Sequence, residues 1–510
     1  MYDIIIGLEV HVQLATESKL FCGCSTRFGA EPNTQTCPVC IGMPGVLPVM
    51  NRRAFELGLK TAVALNCTIP RFTKWDRKQY YYPDLPKAYQ ISQFDLPMSE
   101  DGHLEISDPK GRFETKRIGI IRAHLEEDAG KSMHDEVEGK ADSRIDLNRT
   151  GTPLLEIVSQ PDLRSPAEAK AYLTELKLLL TYLGVSDCNM QEGSLRVDAN
   201  INLHVHVDEA DAADTISTST SDMQKGTLKV DKGKIATPIV EVKNMNSFRA
   251  VERALTYEAE RQWEVWKKTG RRLGDVPKQT RGWDEADQIT RGQRSKEESS
   301  DYRYFPDPDL VPVTTTEEEV EAIRAGLGEL PAALRTRLEA DYEITPYDAD
   351  VLVNQGRELV DYFIAVADTC KDGKAAANWI QQDVLRTLND REIPIGDFSV
   401  PAEQLAQLLQ EVAAGKLTTS RGREVLAEMI ESTSTIETAM KKLGIEAVDD
   451  SALETLCREL LAANPKIVEE VKEGKMKAAG ALIGQAKQKN PNVNPAQVRD
   501  LCLKLIEQMK

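Results

Sequence analysis

GLEVHVQL at 7–14 and RVDANINLHVHV at 196–207 decide the fold. Successive side chains of a strand point to opposite faces. In the first stretch Leu8, Val10, Val12 and Leu14 therefore share one face, and Glu9, His11 and Gln13 share the other. In the second, Val197, Ala199, Ile201, Leu203, Val205 and Val207 stand opposite Asp198, Asn200, Asn202, His204 and His206. Three further stretches belong with them. TPLLEIVS (152–159) carries Glu156 alone in an apolar run, and IRAHLEEDAGK (121–131) ends in Glu126, Glu127 and Asp128, with His124 on the face of Glu126. PIVEVKNMNSF (238–248) sets Val240 and Val242 against Glu241 and Lys243. Clean alternation of this kind predicts an antiparallel sheet with one packed face and one polar face.

An ordinary solvated face explains any one of these strands. Solvated strand faces tend to use Lys, Thr, Arg and Gln, whereas these use mainly Glu, Asp, Asn and His, which are oxygen and nitrogen ligands of Mg²⁺ or Mn²⁺. A carboxylate in an apolar run, as at Glu156, needs a partner or a metal. The expectation is a carboxylate-lined cradle for metal and phosphate. His204 and His206 run towards the segment 207–236 and are read as surface histidines, and His103 and His134 are assigned nothing.

Around this kernel the 510 residues divide by composition, and about 150 residues per domain suggests roughly three domains. The expected class is α+β: an antiparallel-sheet cradle at 1–300, a helical domain at 301–400 and a small helical tail at 401–510. In the tail, Pro401 opens a helix carrying Leu405, Leu408, Leu409 and Val412. Asn494 caps another, in which Val498, Leu501, Cys502, Leu505 and Ile506 repeat at helical spacing. Segment 207–236, rich in Ser, Thr and Asp, reads as a solvent loop. Lys and Arg number 64 and Asp and Glu 82, giving a net charge of −18. That excludes a generic nucleic-acid coat, which neutralises phosphates with a basic surface. Residues 466–510 reverse the balance, with nine basic and five acidic residues, so RNA contact is expected from a local patch or a partner. No apolar run approaches the ~18 residues of a membrane span. The opening MYDIIIGLEVHV has no basic n-region, and the odd count of nine cysteines suits a reducing, cytoplasmic setting.

Four of those cysteines are clustered. Cys22-x-Cys24, twelve residues, then Cys37-x-x-Cys40 is the spacing of a closed structural zinc site. Cys67, Cys188, Cys370, Cys457 and Cys502 read as core. AGKS at 129–132 resembles the end of a phosphate-binding P-loop, but Leu125 stands where its first glycine is required, and three acids precede the second. There is no G-x-G-x-x-G, no nucleophile elbow and no complete glutaminase constellation.

GLEVHVQL, FGAEPN, PGVLPV, WDRKQYYYPDLPKAYQISQFD, HLEEDAGK, DLNRTGTPLLEIVS, GSLRVDANINL, EVKNMNSF and SSDYRYFPDPDL closely resemble the B subunit of the tRNA-dependent amidotransferase, of the bacterial heterotrimeric type with a YqeY-like tail. The resemblance spans essentially the whole chain. It implies a glutamine-hydrolysing carbon–nitrogen ligase in which this subunit uses ATP and Mg²⁺. The side-chain carboxylate of misacylated Glu-tRNA(Gln) or Asp-tRNA(Asn) would be phosphorylated, then amidated with ammonia channelled from an amidase A subunit, with a small C subunit completing a heterotrimer. It also implies His11, Glu127, Glu156, Asp198 and Glu241 as catalytic, Mg²⁺-binding positions, with Glu9, Asn200 and Lys243 on the cofactor and Lys78 along the ammonia path. Cys22, Cys24, Cys37 and Cys40 would hold Zn²⁺, and the tail would meet tRNA. The competing expectation is a zinc-containing RNA-binding or assembly subunit without its own chemistry. The acid-rich strand faces argue against it.

Overall fold

The structure is a computed structural model. It describes residues 1–134, 143–207, 218–221, 224–228, 230–293, 302–445, 450–473, 476–490, 493 and 495–508. Two compact units result, Met1–Pro331 and Ala332–Lys510.

The first unit is built on one nine-stranded sheet. Its strands are β1 (Tyr2–Gln13), β2 (Glu100–Ile106), β3 (Lys116–Glu127), β4 (Pro153–Ser159), β5 (Leu195–His206), β6 (Lys234–Ala236), β7 (Val240–Lys243), β8 (Gln279–Asp284) and β9 (Ile289–Gly292). They lie in the order β9-β8-β7-β5-β1-β4-β3-β2, and β6 pairs on β5. The stretches that predict the sheet are its centre: β1 pairs antiparallel with β5 and with β4. Every described pairing in this sheet is antiparallel except β7 with β8. That pair is joined through a helix, the long crossover a parallel connection requires.

The alternation of β1 is realised as predicted, with Ile6, Leu8, Val10 and Val12 buried and Glu9, His11 and Gln13 half-buried. The apolar face of β1, β3, β4 and β5 is covered by α1 (Arg52–Ala64), α2 (Pro166–Tyr182) and α3 (Phe248–Thr269). Leu173, Leu176 and Leu180 of α2 and Val251 and Leu255 of α3 join Val197, Ala199, Ile201 and Leu203 in one core. Each fully buried aliphatic side chain contributes roughly 1.5–3 kcal/mol. The three helices start at Asn51, Ser165 and Ser247, whose side-chain oxygens accept from Ala54, Glu168 and Ala250 amides, the usual N-cap arrangement. β4 is buried along its whole length, which accounts for its apolar run.

Residues up to 331 stay with the sheet. Phe305–Pro306 pairs with Asp76–Gln79, which in turn pairs with Tyr89–Ser92. The second unit is helical. Arg357–Cys370 packs on Ala402–Ala413, the helix that Pro401 precedes as cap. Cys457, Leu460, Leu482, Val498, Cys502, Leu505 and Ile506 form a separate small core among its last helices. The final helix begins at Pro495, and Asn494 lies outside the described residues. Segment 207–236 keeps the expected coil at 207 and 230–233 and departs from it elsewhere among its described residues. Thr218–Ser221 and Gln224–Leu228 form a hairpin, and β6 extends the sheet; residues 208–217, 222–223 and 229 of that segment lie outside the description.

Candidate active site

Three adjacent strands align three residues on the polar face. In the register, His11 of β1 stands opposite Glu156 of β4, and Glu156 stands opposite His124 of β3. Glu156 Oε2 lies 3.7 Å from His11 Nε2 and 3.4 Å from His124 Nε2. Two residues beyond His124 on the same face is Glu126. One ligand atom each from His11, Glu126 and Glu156 falls within 4.8 Å of the others, a spacing that one divalent cation can bridge. Burial first, and the Glu126 carboxylate second, raise the Glu156 carboxyl well above the usual range, while His11 pulls it down. Two buried carboxylates held this close repel each other, and a cation between them relieves that repulsion.

Glu127 is not in this group. It is the next residue along β3 and points to the opposite face, where it pairs with Lys87 and accepts the Ile91 amide at 3.0 Å. The alternation that identifies the polar face of β1 and β5 assigns Glu126 to the site when extended through His124-Leu125-Glu126. The strand's last acid, Glu127, belongs to a buried ion pair instead.

A second group lies alongside, on β5, β1 and β7. Lys243 Nζ is 2.6 Å from Asp198 Oδ2 and 3.4 Å from Glu241 Oε1. Asn200 donates to Glu9 Oε1 at 2.8 Å, and Thr280 donates to Glu241 Oε2 at 3.0 Å. Burial would raise the Asp198 carboxyl, but Lys243 and His11 more than reverse this and hold it low. Burial likewise works against the Lys243 ammonium, and Asp198 and Glu241 keep it charged. Arg196, opposite His11 in the register, lies 2.7 Å from the buried Asp128, which also accepts from Gln13 at 2.7 Å.

Lys78 projects from Asp76–Gln79 over the rings of Tyr302 at 5.0 Å and Tyr80 at 5.8 Å. Tyr302 packs edge-on to Tyr304, which stacks on Phe94 at 4.1 Å. Burial and then Glu126 and Glu156 raise the Tyr304 phenol, placing this aromatic wall beside the carboxylates.

The histidines of β5 differ from the surface reading. His204 is 3% exposed, and burial followed by Arg164 and Lys234 lowers its pKa to about 4. His206 is exposed and pairs with Asp3 at 3.1 Å. His124 is fully buried with Nε2 3.4 Å from Glu156 Oε2, and burial first, then Arg122, lowers its pKa well below the usual histidine range, so at neutral pH the ring faces that acid uncharged.

Cys22, Cys24, Cys37 and Cys40 converge, with their sulfurs within 4.8 Å of one another. Cys22 and Cys37 lie 3.6 and 3.8 Å from Cys40. Tetrahedral coordination at about 2.3 Å per Zn–S bond sets sulfurs roughly 3.8 Å apart, so these thiols fit a metal ion. Pro38 opens the short helix Pro38–Ile41, and Gly42 ends it at φ 69°. Of the other cysteines, Cys67, Cys188, Cys457 and Cys502 are buried as expected, whereas Cys370 is half-buried.

A polar-faced sheet with a His–Glu–Glu group, followed by helices, defines a class, and the comparisons with known proteins give it a family. Residues 4–321 match the GatB/GatE catalytic domain, and residues 361–506 match the GatB domain. The chain belongs to this family. Among similar proteins, the B subunit of the aspartyl/glutamyl-tRNA(Asn/Gln) amidotransferase of Rhodopirellula baltica is 60% identical over 505 residues, covering 99% of this chain and 97% of the relative. The protein of the same name from Moorella thermoacetica is 47% identical, covering 98% of each chain. That of Carboxydothermus hydrogenoformans is 44% identical with the same coverage. These relatives support an amidotransferase subunit rather than an assembly protein without chemistry. Among the described residues no helix is long and apolar enough to cross a membrane.

Proposed function

We propose that the chain is the kinase and transamidase subunit of a tRNA-dependent amidotransferase. It would act with an amidase A subunit and a small C subunit on Glu-tRNA(Gln) or Asp-tRNA(Asn). A side-chain carboxylate oxygen of the aminoacyl group attacks the γ-phosphorus of ATP and ADP leaves. Ammonia then attacks the acyl carbon and inorganic phosphate leaves, giving the amide. The observation that carries this reading is the His11–Glu126–Glu156 group on the polar face of the sheet.

Phosphoryl transfer asks a protein chiefly for positioning and charge neutralisation. His11, Glu126 and Glu156 would hold Mg²⁺, which when bound supplies neutralisation of phosphoryl oxygens. Glu9 and Asp198 extend the acidic surface next to it. Lys243 and Arg196 set positive charge beside the acids, where it favours the anionic oxygens of the nucleotide. The substrate carboxylate is already ionised at neutral pH and needs no base. The Tyr302–Tyr304–Phe94 wall limits water around the acyl phosphate, whose hydrolysis would waste it. Lys78, beside that wall, would line the path of ammonia. The four cysteines would hold structural Zn²⁺, and the 401–510 tail would contact tRNA. The odd number of cysteines, nine, suits a reducing compartment such as the cytoplasm.

The test supplies the reconstituted complex with ATP, Mg²⁺, ammonium and misacylated tRNA. Glu126→Gln and Asp198→Asn are expected to abolish amide formation and to leave glutamine hydrolysis by the complex intact. Full amidation by both variants would refute the site.

A further inference from the structure

Lys19 is completely buried. A buried ammonium without an anion is strongly disfavoured, yet among the described residues no carboxylate oxygen pairs with its nitrogen. Its three donors are taken by the Gln35 carbonyl at 2.8 Å, the Cys40 sulfur at 3.4 Å and the Leu147 carbonyl at 3.5 Å. The anion available to Lys19 is therefore the thiol cluster. Four thiolates around a divalent cation leave a net charge of −2, and one adjacent ammonium halves it.

The same side chain touches a second structure. Leu147 begins the turn 147–151, and that turn lies beneath the acids of β3. Gly151 donates to the Asp128 carbonyl at 2.9 Å, and Asp128 donates to the Thr152 carbonyl at 2.9 Å. Arg149 donates to the Ala129 and Gly130 carbonyls and stands 3.5 Å from the Asp128 carboxylate. A Cβ added at Gly151 would sit 3.5 Å from Glu127 Oε1 and 3.6 Å from Lys19 Cδ, so the lysine stem, the turn and the acid are in close succession. The cysteine loop is stitched to the same turn from its other side. Gln35 donates to Asn148 Oδ1 at 2.8 Å, and Asn148 Nδ2 to the Glu31 carbonyl at 2.7 Å.

We propose that Lys19 is the counter-cation of the four-thiolate site and the strut through which that site, once loaded, fixes the 147–151 turn under Asp128 and Glu127. Lys19 is a positioning residue and does not itself touch substrate. The proposal rests on the reading that the cysteines hold zinc. One nitrogen of Lys19 joins the Cys40 sulfur to the Leu147 carbonyl, so whatever fixes the cluster in place also fixes the start of the turn. Charge-compensating and hydrogen-bonding partners of metal ligands set affinity by roughly 10–100-fold.

The test uses the full-length chain. Zinc affinity is measured by competition with a chromogenic chelator for the wild type and for Lys19→Gln, which retains a donor and loses the charge. Lys60→Gln, on α1, controls for loss of a lysine elsewhere. Hydrogen exchange is then followed across 143–152 in zinc-loaded and zinc-stripped protein. The expected result is a roughly 10–100-fold loss of zinc affinity in Lys19→Gln, none in Lys60→Gln, and faster exchange of 147–152 amides when the wild type is stripped. Zinc bound equally well by wild type and Lys19→Gln would overturn the role of Lys19 while leaving the zinc reading intact. A wild type that takes up no zinc would overturn both. If Lys19→Gln does not fold, the wild-type comparison decides: unchanged exchange of 147–152 on stripping overturns the proposal.

Discussion

Glu126 and Glu127 are neighbours in sequence and point to opposite faces of β3: one joins His11 and Glu156, the other is locked against Lys87. Two acids that look interchangeable in HLEED therefore carry different burdens. Glu126→Gln removes one of three ligand groups. Amide formation is expected to fall by about 100-fold or more, with a higher Mg²⁺ requirement, if a metal provides the charge neutralisation. Stability should rise or stay level, since a repulsive carboxylate is gone. Glu127→Gln leaves the buried Lys87 ammonium without its partner, a loss of about 3–5 kcal/mol. Urea denaturation of the two variants, alongside amidation assays, separates the roles. Equal loss of stability in both would contradict the assignment.

This pair also marks how far the sequence could be read. Alternation in β1 and β5 was enough for an antiparallel sheet and its polar face, because those strands are long and amphipathic, whereas which strand pairs with which is set by the register of the folded sheet. The same period reaches Glu126 if carried through His124, so that position was legible from local pattern. The aromatic wall was not: Lys78 and Phe94 meet Tyr302 and Tyr304 from the far end of the same unit, and no local pattern encodes such a closure. Nor was the burial of His204. β6 pairs onto the end of β5 after the excursion from 207 and brings Lys234 and Asp231 around the ring. The parallel β7–β8 pair is likewise a product of the α3 crossover, which alternation in either strand leaves undetermined.

His204 gives a pH prediction. Its pKa is lowered from 6.5 to about 4 in the folded chain, with burial the largest cause. Between those values the unfolded chain binds the extra proton and the folded chain does not, so stability falls as pH drops from about 6.5 towards 4. Above that window both states are neutral and the residue adds no slope. Denaturation midpoints of His204→Gln are expected to vary less steeply with pH in that window than those of the wild type. An unchanged slope would show that the ring titrates normally.

The cysteine cluster predicts a stoichiometry. Purified chain is expected to hold one zinc by elemental analysis, and Cys37→Ser to hold close to none, since a closed four-thiolate site loses its geometry with one ligand. Activity is the less direct readout, because the site closes around the metal without an open position. Full zinc content in Cys37→Ser would place the metal elsewhere.

Gly42 ties the cysteine loop to the ion pair of β3. It ends the helix of Cys40 at φ 69°, a left-handed conformation costing a side-chain-bearing residue roughly 1–2 kcal/mol. A Cβ there would also lie 2.6 Å from Lys87 Cγ and 3.2 Å from Lys87 Cα. The flexible Cγ can move, but the Cα cannot without shifting the chain that sets Lys87 against Glu127. Gly42→Ala is thus expected to cost more than backbone strain alone. The part of the surplus owed to Cγ should vanish in Lys87→Ala, while the part owed to Cα and Cβ, both 3.2 Å away, remains. A double-mutant cycle measured by urea denaturation tests this. A coupling of about 0.5 kcal/mol or more would place Gly42 and Lys87 in one mechanical unit, whereas simple additivity would make them independent.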